Sequence, residues 1–252
     1  MSSGITDTAR GTAVVTGAAR GLGQHFAVAL AEAGHDVAIL DLDDASATRE
    51  LIETTGRRCL TVCGDASDPQ DVHSFVAAVR NGLPPTRVLV NNAGISPYAS
   101  FVDTDFALWQ RVSRVNLDSM YLMTHGLVED ICANGHGRIV NLTSSVVWDA
   151  QARNMTAYTM TKSAIVGFTR ALAGELGTQG VTVNCIAPGI VLTPDIEDRV
   201  AESQLEIYRN RQAIPHITAP EDLISTLLYL VDERTRMVTG TTLPVNAGRV
   251  IV

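Results

Sequence analysis

Thr12-Ala13-Val14-Val15-Thr16-Gly17-Ala18-Ala19-Arg20-Gly21-Leu22-Gly23 is the stretch on which the reading of the whole chain depends. Its first five residues form a short apolar run with β-branched side chains. From residue 21 to 33 the apolar positions recur at helical spacing, so the segment reads strand, turn, helix. The turn carries three glycines spaced G-x-x-x-G-x-G. Glycine lets the backbone bend sharply and approach a pyrophosphate, and the first N–H groups of the next helix, at its positive dipole end, suit an anion. A tight connection that binds nothing would look much the same, so its neighbourhood decides.

Residues 36–40 are a second apolar run that ends in Asp41, where an acidic residue at the tip of the second strand meets the hydroxyls of an adenosine ribose. A carboxylate accepts hydrogen bonds from that diol and repels a 2′-phosphate. Two like charges about 4 Å apart at an effective dielectric near 20 cost on the order of 4 kcal/mol, roughly a thousandfold in binding. NAD is therefore favoured over NADP. Arg20 is the one nearby cation that argues the other way, because a guanidinium can reach a 2′-phosphate; Leu42 adds no second one.

Further along, residues 44–55 read as a helix and 58–62 as a strand, with Gly64-Asp65 the turn after it. Asp65 either caps that turn or meets an adenine amino group. Residues 69–79 read as a helix behind Asp68 and Pro69, an N-cap pairing, and residues 88–90 as a strand running into Asn91-Asn92-Ala93-Gly94. Strand and helix alternate without a solenoid-type repeat, which predicts a parallel sheet with helices on both faces and a ligand beyond the carboxyl ends of the strands.

Composition fits such a chain. Of 252 residues 46% are apolar, enough for a large core. The formal net charge of −8 and the absence of Lys/Arg clusters exclude a nucleic-acid binder of the basic-stripe kind. No window reaches the length of a membrane span and no basic-then-apolar leader opens the chain, so the expected setting is cytoplasmic. The four cysteines have neither C-x-x-C spacing nor histidines at zinc-ligand intervals, and are expected to act as small buried hydrophobes; no metal is called for.

Tyr158-Thr159-Met160-Thr161-Lys162 then supplies chemistry. Positions i and i+4 share a helix face, so Lys162 holds a positive charge near the Tyr158 oxygen and favours tyrosinate. A phenol moved toward neutrality can take a proton from an alcohol or give one to a ketone. A tyrosine and a lysine at this spacing are more often a packed ring and a solvated amine. What changes the balance is Ser145, thirteen residues upstream on a separate strand end, together with the ligand-binding signals above.

The chain resembles the short-chain dehydrogenase/reductase family nearly end to end. Thr16-Gly17-x-x-x-Gly21-Leu22-Gly23 is similar to its cofactor turn, Asn91-Asn92-Ala93-Gly94 to its fourth-strand motif and Asn116 to its helical asparagine. Ser145 with Tyr158-x-x-x-Lys162 resembles its catalytic set, Asn184-x-x-x-Pro188-Gly189 with Thr193 its sixth-strand end and cofactor clamp, and Thr239-Gly240-x-x-Leu243-x-Val245 its last strand. Ala66 after Asp65, Arg87 before the fourth strand and Val245-Asn246-Ala247-Gly248 depart from the usual pattern.

The resemblance implies an α/β fold over residues 1–252: one doubly wound Rossmann domain with about seven parallel strands, residues 1–10 a flexible N-terminus and residues 190–216 a substrate-side loop or lid. It implies NAD held by Gly17, Arg20, Gly21, Leu22, Gly23, Asp41, Asp65, Ala66, Asn92, Ala93, Gly94, Tyr158, Lys162, Pro188, Gly189, Ile190 and Thr193. It gives Tyr158 the proton transfer and Ser145, rather than its neighbour Ser144, the polarisation of the substrate oxygen. Lys162 binds the nicotinamide ribose, and Asn116 links the lysine to solvent.

Ser96, Trp148, Met155 and Tyr208 are expected to line a largely apolar pocket for a small alcohol or ketone. The run from Arg138 to Ser145 and residues 212–215 are similar to those of enzymes oxidising secondary aryl alcohols, of the phenylethanol type. The alternatives are an NADP-dependent 3-oxoacyl-thioester (β-ketoacyl carrier protein) reductase, against which Asp41 and the acidic balance argue, and a catalytically silent NAD-binding regulator, against which the complete Ser145, Tyr158, Lys162, Asn116 set argues. Apolar positions at Ile165, Val166, Phe168, Leu172 and Leu176 exceed what one sheet face needs and suggest a homotetramer.

Overall fold

A computed structural model describes residues 10–133, 135–150 and 152–252, so the expected flexible N-terminus lies, but for residue 10, outside the described residues. The strands are β1 (Thr12–Thr16), β2 (Asp36–Asp41), β3 (Cys59–Cys63), β4 (Thr86–Asn91), β5 (Arg138–Leu142), β6 (Thr182–Pro188) and β7 (Thr242–Val245). They form a seven-stranded sheet in the order β3-β2-β1-β4-β5-β6-β7, every pairing parallel. The chain leaves β1 toward β2 on one side and returns to β4 on the other. The crevice at the carboxyl ends of β1 and β4 is thus a topological switch point, where open α/β sheets bind ligands.

The helices are α1 (Gly21–Glu32), α2 (Ser46–Thr54), α3 (Pro69–Gly82), α4 (Phe106–Ser113), α5 (Ser119–Ala133), α6 (Thr156–Leu176), α7 (Pro194–Arg199), α8 (Glu202–Arg209) and α9 (Glu221–Val231). Because side chains alternate across a strand, the apolar runs serve both faces. Ala13, Val15, Val37 and Ile39 pack with Phe26 and Leu30 of α1 and Leu223, Leu227 and Leu230 of α9. Val14, Ala38 and Leu40 pack with Phe75 of α3, Leu127 and Ile131 of α5 and Ala173 of α6. Phe26 and Phe75 are fully buried; losing either ring would cost about 3–5 kcal/mol.

Three local details differ from expectation. α2 begins at Ser46 because the Asp44 carboxylate accepts from the Ser46 N–H and hydroxyl, closing a side-chain turn before the helix. Residues 190–216, expected as a loop or lid, contain two short helices, α7 and α8, with Val200 extended between them. Between α4 and α5 the chain makes a π-helical turn, Arg114–Asp118, which carries Asn116 into the interior.

Two further expectations need correcting. Of the apolar positions expected to exceed what one sheet face needs, Ile165 and Leu176 lie in the core of this chain itself, whereas Val166, Phe168 and Leu172 are only partly buried. The large apolar side chains that do remain exposed include Phe106 and Tyr121. Of the cysteines Cys185 is buried, but Cys63, at the end of edge strand β3, is exposed. Among the described residues no helix is long and apolar enough to cross a membrane.

Candidate active site

The cofactor half of the crevice is built by tying the ends of β1 and β4 together. Thr16 Oγ1 accepts from the N–H groups of Asn92 and Ala93 at 3.1 and 3.0 Å, and Asn92 Nδ2 donates to the carbonyls of Thr16 and Gly17 at 2.9 and 2.8 Å. This lock holds the glycine turn against a neighbouring strand end. Gly17 has φ +65°, and a Cβ on Gly23 would collide with the Gly17 carbonyl oxygen, so both positions require glycine. α1 then starts without a side-chain cap and with no acidic residue in its first turn. Its first N–H groups and positive dipole end are left for an anion at the cleft wall, which Gly21, Leu22 and Gly23 line.

Asp41 sits at the tip of β2 with Oδ2 accepting from the Ala19 N–H at 2.7 Å and Oδ1 from the Asp43 N–H at 3.0 Å. Those bonds aim the carboxylate along the glycine turn. Arg20 is hydrogen-bonded to Asp43 and lies 3.5 Å from Asp195, at the start of α7. These two carboxylates, Asp195 foremost, raise its pKa and occupy its guanidinium.

On the other side of the cleft β5 delivers Ser144 and Ser145, and α6 delivers Tyr158 and Lys162. Thr143 Oγ1 donates to the Lys162 carbonyl at 2.6 Å, fixing α6 against the end of β5. Lys162 is buried, and its Nζ donates to the Leu142 carbonyl at 2.7 Å and lies 5.6 Å from the centre of the Tyr158 ring. Loss of water drives the two groups apart in pKa, Tyr158 up to about 12 and Lys162 down to about 8. The expected lowering of the tyrosine by the lysine is therefore absent: burial penalises both charged forms.

Asn116 lies behind this pair. Its Oδ1 accepts from the Ile95 N–H at 2.8 Å, while Nδ2 donates to the Ile95 carbonyl and to Thr161 Oγ1, each at 3.0 Å. A Cβ on Gly94 would stand 3.1 Å from Asn116 Oδ1 and 3.6 Å from Lys162 Nζ. The small residue lets amide and amine approach the same spot. The π-helical turn is what swings Asn116 inward, and no spacing rule signals it.

A cleft of about 590 Å³ joins the two halves, lined by Gly17, Arg20, Asp41, Asn92, Ala93, Gly94, Ser145, Tyr158, Lys162, Pro188, Gly189, Ile190 and Thr193 among others. Ser96, Met155 and Tyr208 are on its wall, whereas Trp148, Asp65 and Ala66 are not. Trp148 ends the short helical turn Ser145–Trp148 half-buried, and the adjacent Asp149 reaches the cleft instead. Asp65 Oδ1 closes a turn, accepting from the Ser67 N–H at 2.8 Å and the Ser67 hydroxyl at 2.6 Å, while Oδ2 lies 3.8 Å from Arg114.

The two serines sit differently: Ser144 caps the turn by accepting from the Val146 N–H at 3.2 Å, and Ser145 is buried on the cleft wall. Sequence patterns also give no warning of the Asp149–Arg249 pair, 2.8 Å apart on the cleft wall, because its members come from distant segments.

A crevice of this kind, at the switch point of a parallel sheet with a phenol and an amine facing a phosphate-binding turn, belongs to nicotinamide-dependent oxidoreductases. Residues 17–249 match the family profile described as enoyl-(acyl carrier protein) reductase, and the chain is a member of the short-chain dehydrogenase/reductase family. It is 36% identical over 239 residues to the (2S)-[(R)-hydroxy(phenyl)methyl]succinyl-CoA dehydrogenase subunit BbsD of Thauera aromatica, covering 94% of this chain and 95% of that one. To the L-rhamnose 1-dehydrogenase (NAD(P)(+)) of a Sphingomonas species it is 33% identical over 242 residues, with the same coverage. A crystal structure of 3-oxoacyl-[acyl-carrier protein] reductase from Brucella melitensis superimposes with a TM-score of 0.88 at 32% identity, covering 95% of this chain and 91% of that one. As a member of this family the chain is an oxidoreductase acting on CH–OH groups.

Proposed function

We propose that this protein interconverts a secondary alcohol and a ketone with NAD, using Tyr158, Ser145, Lys162 and Asn116. The reading rests on one observation above others: the Tyr158 phenol and the uncapped start of α1 face the same cleft. The residues fit a dinucleotide, with pyrophosphate at the α1 N-terminus, adenosine ribose at Asp41 and nicotinamide beside Tyr158, Lys162, Ile190 and Thr193. When bound, the nicotinamide accepts or returns the hydride. Tyr158 takes the hydroxyl proton in oxidation and gives it back in reduction. Ser145 donates a hydrogen bond to the substrate oxygen, and Lys162 supplies positive charge beside the phenolate.

NAD is favoured over NADP by two features: Asp41 occupies the ribose position, and Arg20, the local cation, is engaged by Asp43 and Asp195. The substrate class is a secondary aryl alcohol. The Thauera relative's name specifies a hydroxy(phenyl)methyl group, a secondary benzylic alcohol of the kind the run from Arg138 to Ser145 suggests. Rates with secondary aryl and alkyl alcohols, each with NAD and NADP, test the reading. Turnover preferring NAD supports it; failure of every alcohol and ketone with either cofactor defeats it.

A pH dependence follows from the paired shifts. Oxidation requires the Tyr158–Lys162 pair with one proton removed, and the first proton leaves at about 8, since Lys162 is depressed to that value and Tyr158 raised to about 12. kcat/KM for oxidation should therefore climb about tenfold per pH unit below 8 and level off above it. A profile flat through this region would contradict the assignment.

We also propose a homotetramer, supported by exposed Phe106 and Tyr121. Size-exclusion chromatography with light scattering should give four chain masses, and a monomer at micromolar concentration would refute it.

A further inference from the structure

Arg20, Arg153, Arg199 and Arg249 line the cleft, and all but one are engaged by a carboxylate. Arg20 meets Asp43 and Asp195, Arg199 lies 4.0 Å from Asp195, and Arg249 pairs with Asp149 at 2.8 Å. Arg153 has no hydrogen-bond or ion-pair partner among the described residues. The loop that presents it joins Ser145 to Tyr158 and is tied down on both sides of the arginine. The Ala152 N–H donates to the Asp149 carbonyl at 3.0 Å, and the Asn154 carbonyl accepts from the Ala99 N–H at 2.9 Å. Asn154 adopts φ +59°, a left-handed conformation that asparagine takes more readily than most residues. Beside the cleft is a second hollow of about 580 Å³, lined by Tyr98, Ala150, Arg153, Asn154 and Arg211. Tyr98 and Arg153 are on the wall of both, so the two spaces adjoin at these side chains. Among the described residues the hollow has no carboxylate on its wall, in a chain whose net charge is −8.

We propose that Arg153 determines specificity by reading an anionic group on the substrate: with the carbinol at Tyr158, a carboxylate or phosphate on the far arm of the alcohol extends past Tyr98 to the Arg153 guanidinium. A guanidinium presents its N–H donors in a planar fork that matches either anion with two hydrogen bonds. Arg20, Arg199 and Arg249 would each have to give up a carboxylate to do the same. The acidic balance of the chain repels anions at long range, so the hollow with its cations is where one is accepted. Arg153 is exposed, which holds the gain to the lower end for a hydrogen bond to a charged group, roughly tenfold in affinity.

The inference rests on the proposed alcohol–ketone reaction, and the ligands are chosen so that the two fail separately. Initial rates with NAD would be compared for 3-hydroxy-3-phenylpropanoate, its neutral methyl ester and 2-hydroxy-2-phenylethyl phosphate, which share the benzylic carbinol. At least one anion should show a KM roughly tenfold below that of the ester with kcat similar, the mark of a group bound equally in ground and transition states. Whichever anion has the lower KM is the one the hollow is shaped for. Arg153→Gln should erase the difference by raising KM for the anion, and Arg153→Lys should keep part of it, as a charge without the fork. Equal KM values for anions and ester in the wild type, or a preference that survives Arg153→Gln, would overturn the role and leave the reaction standing. If no alcohol is turned over, calorimetric binding of 3-phenylpropanoate to the protein with NAD decides the anion site alone. Binding roughly tenfold weaker in Arg153→Gln supports it; no binding, or equal binding in the two proteins, overturns it.

Discussion

Tyr158→Phe is expected to lower turnover in both directions by about 10²–10⁴-fold while leaving NAD affinity within about twofold. The substitution removes one oxygen and leaves the ring, so the packing of α6 and the cleft shape survive. Lost with the oxygen is the phenol O–H to which the proton transfer is assigned, kept protonated near neutrality by a pKa raised to about 12 through burial. At about 1.4 kcal/mol per decade the loss corresponds to roughly 3–5 kcal/mol of transition-state stabilisation. NAD binding is spared because the α1 N-terminus and Asp41 lie on the other half of the crevice. The check is a comparison of kcat with the NAD dissociation constant measured by fluorescence titration. A variant retaining near-full rates on every alcohol the wild type accepts would remove Tyr158 from the chemistry.

The second large effect concerns cofactor choice. Wild-type kcat/KM should favour NAD over NADP by roughly a thousandfold, the cost of a 2′-phosphate facing the Asp41 carboxylate. Asp41→Ala should bring the two cofactors to within about tenfold of each other, and no further, since Arg20 stays bound to Asp43 and Asp195. Replacing Asp43 as well frees that guanidinium for the phosphate, and the double variant should favour NADP. A wild type already preferring NADP would show that the carboxylate is not read this way.

Both predictions draw on features visible in the sequence, and the reason is that they are local. A strand ending in glycines, an acidic residue after the next strand and a tyrosine four residues before a lysine are short-range patterns. The parallel sheet follows because runs such as residues 37–40 are apolar on both faces, which buried strands require. Spacing carries no information about where side chains meet after folding. Asn116 enters the site through a π-helical turn whose sequence, Arg114 to Asp118, looks like ordinary helix. Asp149 and Arg249 pair across most of the second half of the chain.

Energetic balance is just as hidden. The i and i+4 positions of Tyr158 and Lys162 suggested a lowered phenol pKa, but burial of both groups reversed the sign. Ile165 and Leu176 read as surplus apolar positions because helix periodicity cannot reveal that α6 packs against β6 and α5's side of the core. Trp148, read as pocket lining from its nearness to Ser145, is displaced from the cleft wall and Asp149 stands there instead.

The central claim is that a carbinol carbon passes its hydrogen to a nicotinamide held at the open end of this sheet, and isotope transfer tests it most directly. The protein would be incubated with NAD and a secondary aryl alcohol deuterated at the carbinol carbon, and the recovered cofactor examined by NMR. The account predicts one deuterium on the reduced nicotinamide ring, on a single face, with transfer nearly abolished in Tyr158→Phe. Reduced cofactor without deuterium, or NAD bound but never reduced by any alcohol, would contradict it.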